Sequence, residues 1–387
     1  MANNYRMVAK TLFGFEEVLA GELRRLGAIE VENGVRSVSF SGDKGFMYKA
    51  NLCLRTALKI VKPLRSFKVR NEDDLYDGVK KIRWEDIMRV DSTLAVDAVV
   101  HSEKFNHSLY VALKTKDAVV DRFRELKGKR PDVDLKHPDL RINVHIQKDI
   151  CTISLDSSGS SLHHRGYRTA TNIAPINEVL AAGMLLLSGW DGQCDFLDPM
   201  CGSGTLPIEA AMIACNIPAN INRREFAFEK WIDFDLDLFE KVTESSLNKV
   251  REFHHKILAF DKAPSAVRKA SDNVRNANLG AYVQVSQQDF FKTEKQGEDK
   301  LHMVFNPPYG ERLAVDMQDF YGNIGNTLKQ EYPGTEAWLI TSDMEALKYV
   351  GLRPSRKIKL FNGRLESRLV KYEMYAGSKK AKWQPRE

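Results

Sequence analysis

Short apolar runs alternate with amphipathic stretches in the second half of the chain, and this alternation constrains its fold more than any other feature. Helical periodicity covers residues 177–187, 208–215 and 265–278. The strand-like runs are Cys194–Leu197, Ile257–Phe260, Val283–Ser286 and Met303–Phe305. Strands that alternate with helices predict a parallel, doubly wound α/β sheet, which binds ligands at the carboxyl ends of its strands. The polar residues at or just after those ends are Asp198, Asp261, Asp289 and Asn306, and we expect a ligand site there.

The first 160 residues or so have a different pattern, which predicts small α+β units. The apolar spacing of Phe15–Leu26 predicts a helix that ends at Gly27, and Leu109–Leu126 predicts another helix. Strand-like alternation is found in Val35–Phe40, Leu94–Val100 and Leu140–Leu155. The serine-rich run Ser157–Ser161 has the composition of a linker and marks the boundary to the alternating half.

Composition indicates a folded protein without an obvious membrane segment. The 387 residues, at about 150 per domain, predict two or three domains. The longest nearly apolar run, Val179–Trp190, is shorter than the roughly 20 residues that cross a bilayer. Residues 1–10 lack the pattern of an export signal, and the five cysteines include no CxxC pair. We therefore expect a cytoplasmic protein with no metal and no membrane partner.

Positive charge is concentrated near the C-terminus. The chain carries a net charge of +6, whereas residues 353–387 contain 11 Lys and Arg against three Asp and Glu. Smaller basic clusters comprise Lys62, Arg65, Lys68 and Arg70, and Arg122, Arg124, Lys127, Lys129 and Arg130. Such segregation favours a polyanionic partner, because Lys and Arg displace the counterions of phosphates. For any one cluster, a solvated surface is an equal alternative.

A glycine loop stands between the first strand of the alternating half and the helix after it. Residues 198–205 read Asp-Pro-Met-Cys-Gly-Ser-Gly-Thr, and Gly202 and Gly204 would let the main chain approach a ligand. A dinucleotide fingerprint has a third glycine where this chain has Pro207, and no lysine follows as in a P-loop. A tight strand-to-helix turn remains an alternative to a ligand loop.

Two carboxylates at later strand ends suit a nucleoside. Asp261 can accept both hydroxyls of a ribose. Asp289 can accept from an adenine amino group, and Phe290 can line the adenine ring. Asp261 has the alternative of an aspartate that caps a turn or a helix. Asp289 and Phe290 have the alternative of a surface aspartate beside a buried aromatic side chain.

The run Asn306-Pro307-Pro308-Tyr309 is the sharpest motif in the chain. Two prolines after an apolar strand fix φ, remove two N–H donors and leave rigid carbonyls. The Asn306 side-chain oxygen and the Pro307 carbonyl can accept the two N–H groups of an exocyclic base amine, and Tyr309 can stack on the base. A proline-rich turn without a binding role is the alternative, and it explains most chance occurrences of such a tetrapeptide. The position of this motif at a strand end, after the three other motifs, favours a binding role instead.

Together these motifs resemble those of S-adenosylmethionine-dependent amino-methyltransferases with a Rossmann-like sheet. The runs at 162–168, 174–178 and 222–231 narrow the resemblance to the THUMP-domain-containing ribosomal RNA guanine-N2 methyltransferases. The similarity spans the whole chain, which resembles the N-terminal half of the bacterial 23S ribosomal RNA enzyme of that family. It implies a ferredoxin-like unit at 1–60, a THUMP RNA-binding domain at 61–157 and a methyltransferase domain at 158–387.

The resemblance also implies roles for the residues that match its motifs. Asp198, Cys201, Gly202, Ser203 and Gly204 would cradle the methionine moiety of S-adenosylmethionine. Asp261 would hold the ribose, Asp289 and Phe290 the adenine, and Asn306, Pro307, Pro308 and Tyr309 the target base. The segment Gly166–Arg168 would help to close the cofactor pocket. Cys201 has the alternative of a purely structural role in the loop.

The leading hypothesis is methyl transfer to the N2 amine of a guanosine in large-subunit ribosomal RNA. The THUMP-containing half and the basic C-terminal segment would hold folded RNA. Adenine-N6 methylation of DNA stays open, because the motif at 306–309 is shared with adenine methylases. A non-catalytic RNA-binding assembly factor is the alternative from another class.

Overall fold

The computed structural model describes residues 4–168, 175–308 and 316–375. Within these ranges, contacts between residues divide the chain into two compact units. The first unit contains residues 4–11, 19–162 and 223–245. The second contains residues 12–18, 163–222 and 246–375. Each unit thus includes a segment from a distant part of the chain, and the predicted three-part division stays a prediction.

The first unit is built on an eight-stranded sheet with the order β2-β3-β1-β4-β8-β7-β5-β6. Its strands are β1 (Tyr5–Lys10), β2 (Ile29–Gly34), β3 (Ser37–Gly42), β4 (Lys59–Lys68), β5 (Thr93–His101), β6 (Asp132–Val133), β7 (Leu140–Gln147) and β8 (Ile150–Asp156). Its helices are α1 (Glu16–Leu26), whose first turn groups with the second unit, α2 (Lys44–Cys53), α3 (Glu72–Lys80) and α4 (Ser108–Lys127). Neighbouring strands are antiparallel, except that β5 runs parallel to β6 and β7. The predicted α+β character of this half is confirmed.

The serine-rich run is a packed part of the first unit and not a loose linker, although the long segment of the first unit does end directly after it, at Leu162. Ser157 and Ser158 are buried. The side-chain amide of Asn51 donates to Ser157 Oγ at 2.9 Å and accepts from Ser158 Oγ at 2.6 Å. The Arg223 guanidinium donates to three carbonyls of the run, those of Ser158, Ser160 and Ser161. Composition cannot reveal such partners, because they are distant in sequence.

An aromatic cluster holds residues 223–245 in the first unit. Tyr48 of α2 stacks on Phe228 with ring centroids 4.4 Å apart. Phe234 and Phe239 approach the Tyr48 ring edge-on, at 5.8 and 5.6 Å. Phe226 stacks on Phe228 at 5.2 Å, and both rings are buried. The aromatic residues of this segment are therefore core residues of the first unit.

The second unit is built on a seven-stranded sheet with the order β11-β10-β9-β12-β13-β15-β14. Its strands are β9 (Asp195–Asp198), β10 (Ile257–Asp261), β11 (Val283–Gln287), β12 (Leu301–Phe305), β13 (Thr335–Thr341), β14 (Arg356–Asn362) and β15 (Leu365–Glu373). Its helices are α5 (Glu178–Ser188), α6 (Thr205–Ala214), α7 (Leu236–Leu247, shared with the first unit), α8 (Pro264–Asn276), α9 (Met317–Glu331) and α10 (Ala346–Tyr349). Strands β9 to β13 are parallel, and β15 is antiparallel to both of its neighbours. The predicted α/β fold class with a doubly wound sheet is confirmed.

Local signals set the ends of the elements that position the ligand edge of this sheet. Helix α5 begins after Asn177, whose side chain accepts from the N–H groups of Val179 and Leu180. It ends at Gly189, which has a left-handed φ of 81°.

The order of the strands in this sheet reverses between β9 and β12, which is the position where open α/β sheets bind ligands. No helix in the described ranges is long and apolar enough to cross a membrane.

Candidate active site

The glycine loop joins the end of β9 to the start of α6 at the carboxyl edge of the sheet. Gly202 and Gly204 have φ values of 56° and 83°, which glycine adopts without strain. A Cβ at Gly204 would lie 3.2 Å from the Cβ of Ala270, so α8 approaches the loop closely. The side chain of Asn273 donates to the carbonyl of Ser203 at 2.9 Å. Helix α8 therefore holds the loop in one conformation.

Two carboxyl groups end the neighbouring strands β9 and β10. Asp198 is buried, and its Oδ1 accepts from the N–H of Met200 at 3.1 Å. Burial and the nearby Asp261 carboxylate raise the pKa of Asp198 well above its ordinary value. Asp261 accepts from the N–H of Gly202 at 3.0 Å with Oδ2 and from that of Ala263 at 2.9 Å with Oδ1. Each oxygen of a carboxylate has a second lone pair, so Asp261 can also accept from two ligand hydroxyls.

A cavity opens beside Asp261 at the same edge of the sheet. The predicted site residues that line it are Asp261, Asp289, Phe290 and Pro308. Met200, Lys262, Phe291 and Phe320 also line it, and sequence reasoning did not identify them. Carboxylates next to aromatic and apolar side chains suit a nucleoside, because its hydroxyl groups need acceptors and its base needs a flat apolar contact.

The turn after β12 begins with a buried side-chain oxygen, that of Asn306. The Oδ1 atom of Asn306 is buried and has no hydrogen-bond partner among the described residues. Leaving a buried acceptor unpaired costs about 1–3 kcal/mol. Pro307 is buried, and Pro308 is half-buried and lines the cavity. Pro308 thus brings this turn to the cavity, two residues after the Asn306 oxygen, and Tyr309 lies outside the described residues.

Cys201 and Ser203 face the packed side of the glycine loop. Both are buried, and the N–H of Cys201 donates to the carbonyl of Phe260 at 2.8 Å. Burial, together with Asp198 and Asp261, raises the pKa of the Cys201 thiol well above its ordinary value. A thiol in this environment stays protonated at neutral pH and is a poor nucleophile.

A buried polar network supports the glycine loop from the segment before α5. Arg165 donates to Oε1 of Glu209 in α6 at 3.2 Å and to Oδ1 of Asn220 at 3.1 Å. The Tyr167 hydroxyl donates to the same Glu209 oxygen at 3.4 Å, and Asn276 of α8 donates to the Tyr167 carbonyl at 3.3 Å. The network joins α6 and α8, the two helices that contact the loop.

Arg168 extends this network to the first residue of α6. Its Nη2 atom donates to Oγ1 of Thr205 at 2.8 Å and to the Ile176 carbonyl at 3.1 Å. Its Nε atom lies 2.9 Å from Oε1 of Glu178. Burial raises the pKa of Glu178 to about 7, although Arg168 acts in the opposite direction. That Gly166–Arg168 closes a cofactor pocket stays a prediction.

Most of the basic residues in the two smaller clusters have partners. Arg122 binds Glu85 with both arms of its guanidinium, and Arg124 pairs with Asp121 at 2.8 Å. In the other cluster, Lys68 pairs with Asp149, Arg70 pairs with Asp74, and Lys62 lies over the Tyr5 ring. Four of the nine basic residues in these two clusters are therefore paired with a carboxylate.

Phe291 and Phe320 line the cavity but were not predicted as site residues from the motifs. Phe320 is in α9, far along the chain from the glycine loop, and its ring meets Phe291 edge-on at 5.4 Å. The only available signal was that Phe291 follows the predicted Phe290. A larger cavity of about 1010 Å³ against β9, β10 and β11 has none of the predicted site residues in its lining.

Models of three protein families match consecutive parts of the chain. A RlmL ferredoxin-like domain matches residues 6–61, a THUMP domain matches residues 69–156, and an RMKL-like methyltransferase domain matches residues 165–371.

Two curated proteins and one solved structure are similar over nearly the whole chain. The ribosomal RNA large subunit methyltransferase K/L of Syntrophotalea carbinolica is 38% identical over 93% of this chain and 52% of its own length. The putative RNA methyltransferase slr0064 of Synechocystis is 35% identical over 94% of this chain and 95% of its own. The crystal structure of SMU.472 complexed with SAH has a TM-score of 0.86 and 30% identity, covering 98% of this chain and 100% of that one. The chain spans about half the length of the large-subunit methyltransferases K/L that it matches.

Proposed function

Because the chain belongs to the family of RMKL-like methyltransferases with a RlmL ferredoxin-like domain and a THUMP domain, we propose that it methylates RNA from S-adenosylmethionine. The target that we propose is the exocyclic N2 amine of a guanosine in large-subunit (23S) ribosomal RNA. The observation that carries this proposal is the buried Oδ1 of Asn306, which has no hydrogen-bond partner among the described residues and belongs to the turn whose Pro308 lines the nucleoside-like cavity.

The cavity residues fit S-adenosylmethionine. The free lone pairs of Asp261 can accept the two ribose hydroxyls, and the Asp289 carboxylate can accept from the adenine amine. Phe290, Phe291 and Pro308 offer apolar contacts to the adenine ring. Gly202, Gly204 and their neighbours in the loop would follow the methionine moiety, with Asp198 and Asn273 fixing the shape of the loop.

Bound S-adenosylmethionine would supply a methyl group on a positively charged sulfur. The protein then has to hold a weakly nucleophilic amine in line with that group. Asn306 Oδ1 and the Pro307 carbonyl would accept the two N–H groups of the amine, which directs the nitrogen lone pair towards the methyl group. Such positioning is the main source of rate in a transfer that needs no covalent enzyme intermediate. Asn306 carries no charge, so the departing proton would pass to solvent or to a carbonyl oxygen.

The substrate assignment follows from the two halves of the chain. A THUMP domain and a basic C-terminal segment in the same chain suit a structured polyanion, which proteins recognise by shape and by phosphate contacts. The names of the curated relatives include large-subunit ribosomal RNA. The base and the atom are our own inference from the resemblance at residues 162–168, 174–178 and 222–231, because the asparagine turn is shared with adenine methylases. We further propose that the protein acts in the cytoplasm, where ribosomal RNA is made and assembled in bacteria.

Nucleoside mass spectrometry tests the polymer, the base and the atom together. Purified protein is incubated with isotopically labelled S-adenosylmethionine and either unmodified large-subunit ribosomal RNA or duplex DNA. We expect label in N2-methylguanosine from the RNA. Label in N6-methyladenine would overturn the assigned base, and no label in either polymer would favour a non-catalytic assembly factor or a precursor particle as the substrate.

A further inference from the structure

The hairpin of β14 and β15 reaches past the carboxyl edge of the second unit's sheet, the edge that holds Asn306. Thr341 ends β13 and pairs with Arg368 of β15, so residues 362–367 extend beyond the last paired residue of β13. Strand β15 is separated from β12 only by β13. At about 4.8 Å between strands, it lies roughly 10 Å to the side of the Asn306 turn. That distance is comparable to the spacing of one or two nucleotides.

The end of this hairpin is positively charged. Lys359 and Arg368 share the single carboxylate of Glu366, at 2.6 and 3.1 Å. Arg364, in the turn, is exposed and makes no ion pair with any described residue. Three cations against one carboxylate leave an excess of two positive charges at the tip. An exposed guanidinium of this kind can contact a phosphate group.

An aromatic pair stands beside these cations. Phe13 meets Phe361 of β14 edge-on with ring centroids 5.5 Å apart, and Phe13 is 44% exposed. The ammonium group of Lys359 lies 5.4 Å from the centre of the Phe361 ring. Exposed aromatic rings between cations are the combination with which proteins bind unpaired nucleotides, because every base can stack on a ring.

The segment that carries Phe13 is anchored to the second unit by the two residues that follow it. Gly14 has a φ of 88°, and a Cβ there would lie 3.1 Å from Leu360 Cδ2, so the main chain crosses β14 closely. Phe15 is fully buried, and its ring fills the space that a Cβ at Gly183 of α5 would need. The close packing of Gly14 and the burial of Phe15 thus fix the main chain directly after Phe13, while part of the Phe13 ring stays exposed. Less than half of Phe13 is exposed, and this exposed part of the ring is available to a base.

We propose that the hairpin tip and Phe13 bind the unpaired RNA next to the target base. A base flanking the target stacks on Phe13 and Phe361, and Arg364 contacts the phosphate that follows it. This inference rests on the proposed function, because it assigns a docking surface to the same RNA substrate. It explains how a base extruded into the cavity keeps its neighbours ordered, which offsets part of the cost of unstacking.

Matched variants separate stacking from charge. Phe13→Leu keeps an apolar side chain and removes the ring, whereas Phe13→Tyr keeps a ring. Arg364→Ala removes one cation at the hairpin tip. Arg356→Ala removes one cation at the other end of β14, away from the tip. Each variant is compared with the wild type for affinity to an unmodified large-subunit ribosomal RNA transcript over a range of salt concentrations. Methylation kinetics and affinity for S-adenosylmethionine are measured alongside.

Phe13→Leu should weaken RNA binding about tenfold without changing the slope of log K against log salt, since stacking releases no counterion. Phe13→Tyr should bind like the wild type. Arg364→Ala should weaken RNA binding and reduce the slope of log K against log salt by about one, the contribution of one phosphate contact. Arg356→Ala should have a much smaller effect on both the affinity and the slope. All four variants should bind S-adenosylmethionine like the wild type.

The outcomes distinguish this inference from the proposed function. If the wild type methylates the RNA while Phe13→Leu and Arg364→Ala behave like Arg356→Ala, the docking surface is wrong and the function stands. If the wild type neither binds nor methylates the RNA, both proposals fail. If Phe13→Leu lowers the maximal rate with unchanged RNA affinity, the ring does not dock RNA and the inference is also overturned.

Discussion

At the scale of single residues, Asn306 should be unfavourable for stability and essential for the reaction. Asn306→Ala removes an acceptor from the target amine, which should lower the maximal rate by at least about 100-fold. It also removes a buried oxygen that has no partner among the described residues. The melting temperature should therefore stay unchanged or rise, and the affinity for S-adenosylmethionine should change little. Turnover and thermal unfolding of the same preparation check both expectations.

Asn306→Asp is the control for this variant, because a carboxylate still offers an acceptor oxygen at the same place. It should retain more activity than Asn306→Ala. Wild-type turnover in Asn306→Ala would show that the amide does not hold the substrate.

Glu178 should make the stability of the protein depend on pH. Its folded-state pKa of about 7 lies above the ordinary value of 4.5, so the folded state binds a proton more tightly than the unfolded state. The stabilisation is complete below about pH 4.5 and is lost as the pH rises towards 7. A shift of this size corresponds to about 3 kcal/mol. The groups that act on Glu178 are Arg168 and Arg165, which oppose the shift, and Glu209, which adds to it.

Glu178→Gln has no proton to exchange in this range and tests this prediction. The free energy of unfolding of the wild type, relative to that of the variant, should fall between pH 5 and pH 7. Urea denaturation at several pH values measures the difference. A difference that stays constant across this range would show that Glu178 is not the group responsible.

At the scale of elements, Arg223 should determine the stability of the serine-rich run. Its planar guanidinium reaches carbonyls on Ser158, Ser160 and Ser161 from two nitrogen atoms, which a single ammonium group cannot do. Arg223→Lys should lower the free energy of unfolding by about 1–3 kcal/mol. Arg224→Lys, at the exposed neighbouring position, is the matched control and should change stability little. Equal stability of the two variants in urea denaturation would contradict this role.

Elements with local signals could be predicted from the sequence, and contacts between distant segments could not. Asn177 and Gly189 cap α5 through atoms within a few residues, so its ends lie within one residue of the predicted range. The strand ends at Asp198, Asp261 and Asn306 follow from the same local patterns. Asn51 and Arg223 hydrogen-bond to the serine-rich run, and Phe320 completes the cavity from α9. These contacts join residues that are far apart in the sequence, so the pattern of a short stretch of sequence cannot predict them.

At the scale of the whole molecule, the distribution of free cations decides what the protein can bind. Ion pairs within the first unit neutralise two basic residues in each of the smaller basic clusters. On the proposed function, basic residues with no ion pair among the described residues, such as Arg364, would provide a sequence-independent attraction to phosphates. That attraction acts on RNA and DNA alike, and it weakens steeply as salt rises. Discrimination between the two polymers must therefore come from shape and from unpaired bases.

This reasoning predicts how competition between polymers depends on salt. At low salt, unmodified folded ribosomal RNA and duplex DNA with the same number of phosphates should compete with similar strength, because counterion release dominates for both. At about 150 mM salt the electrostatic part shrinks, and the RNA should bind at least about tenfold more tightly, because stacking and shape contacts persist. Competition binding with labelled RNA at both salt concentrations measures the ratio. An RNA-to-DNA ratio that stays near one at the higher salt would mean that charge alone attracts the polymer, and adenine methylation of DNA would then replace ribosomal RNA as the leading hypothesis.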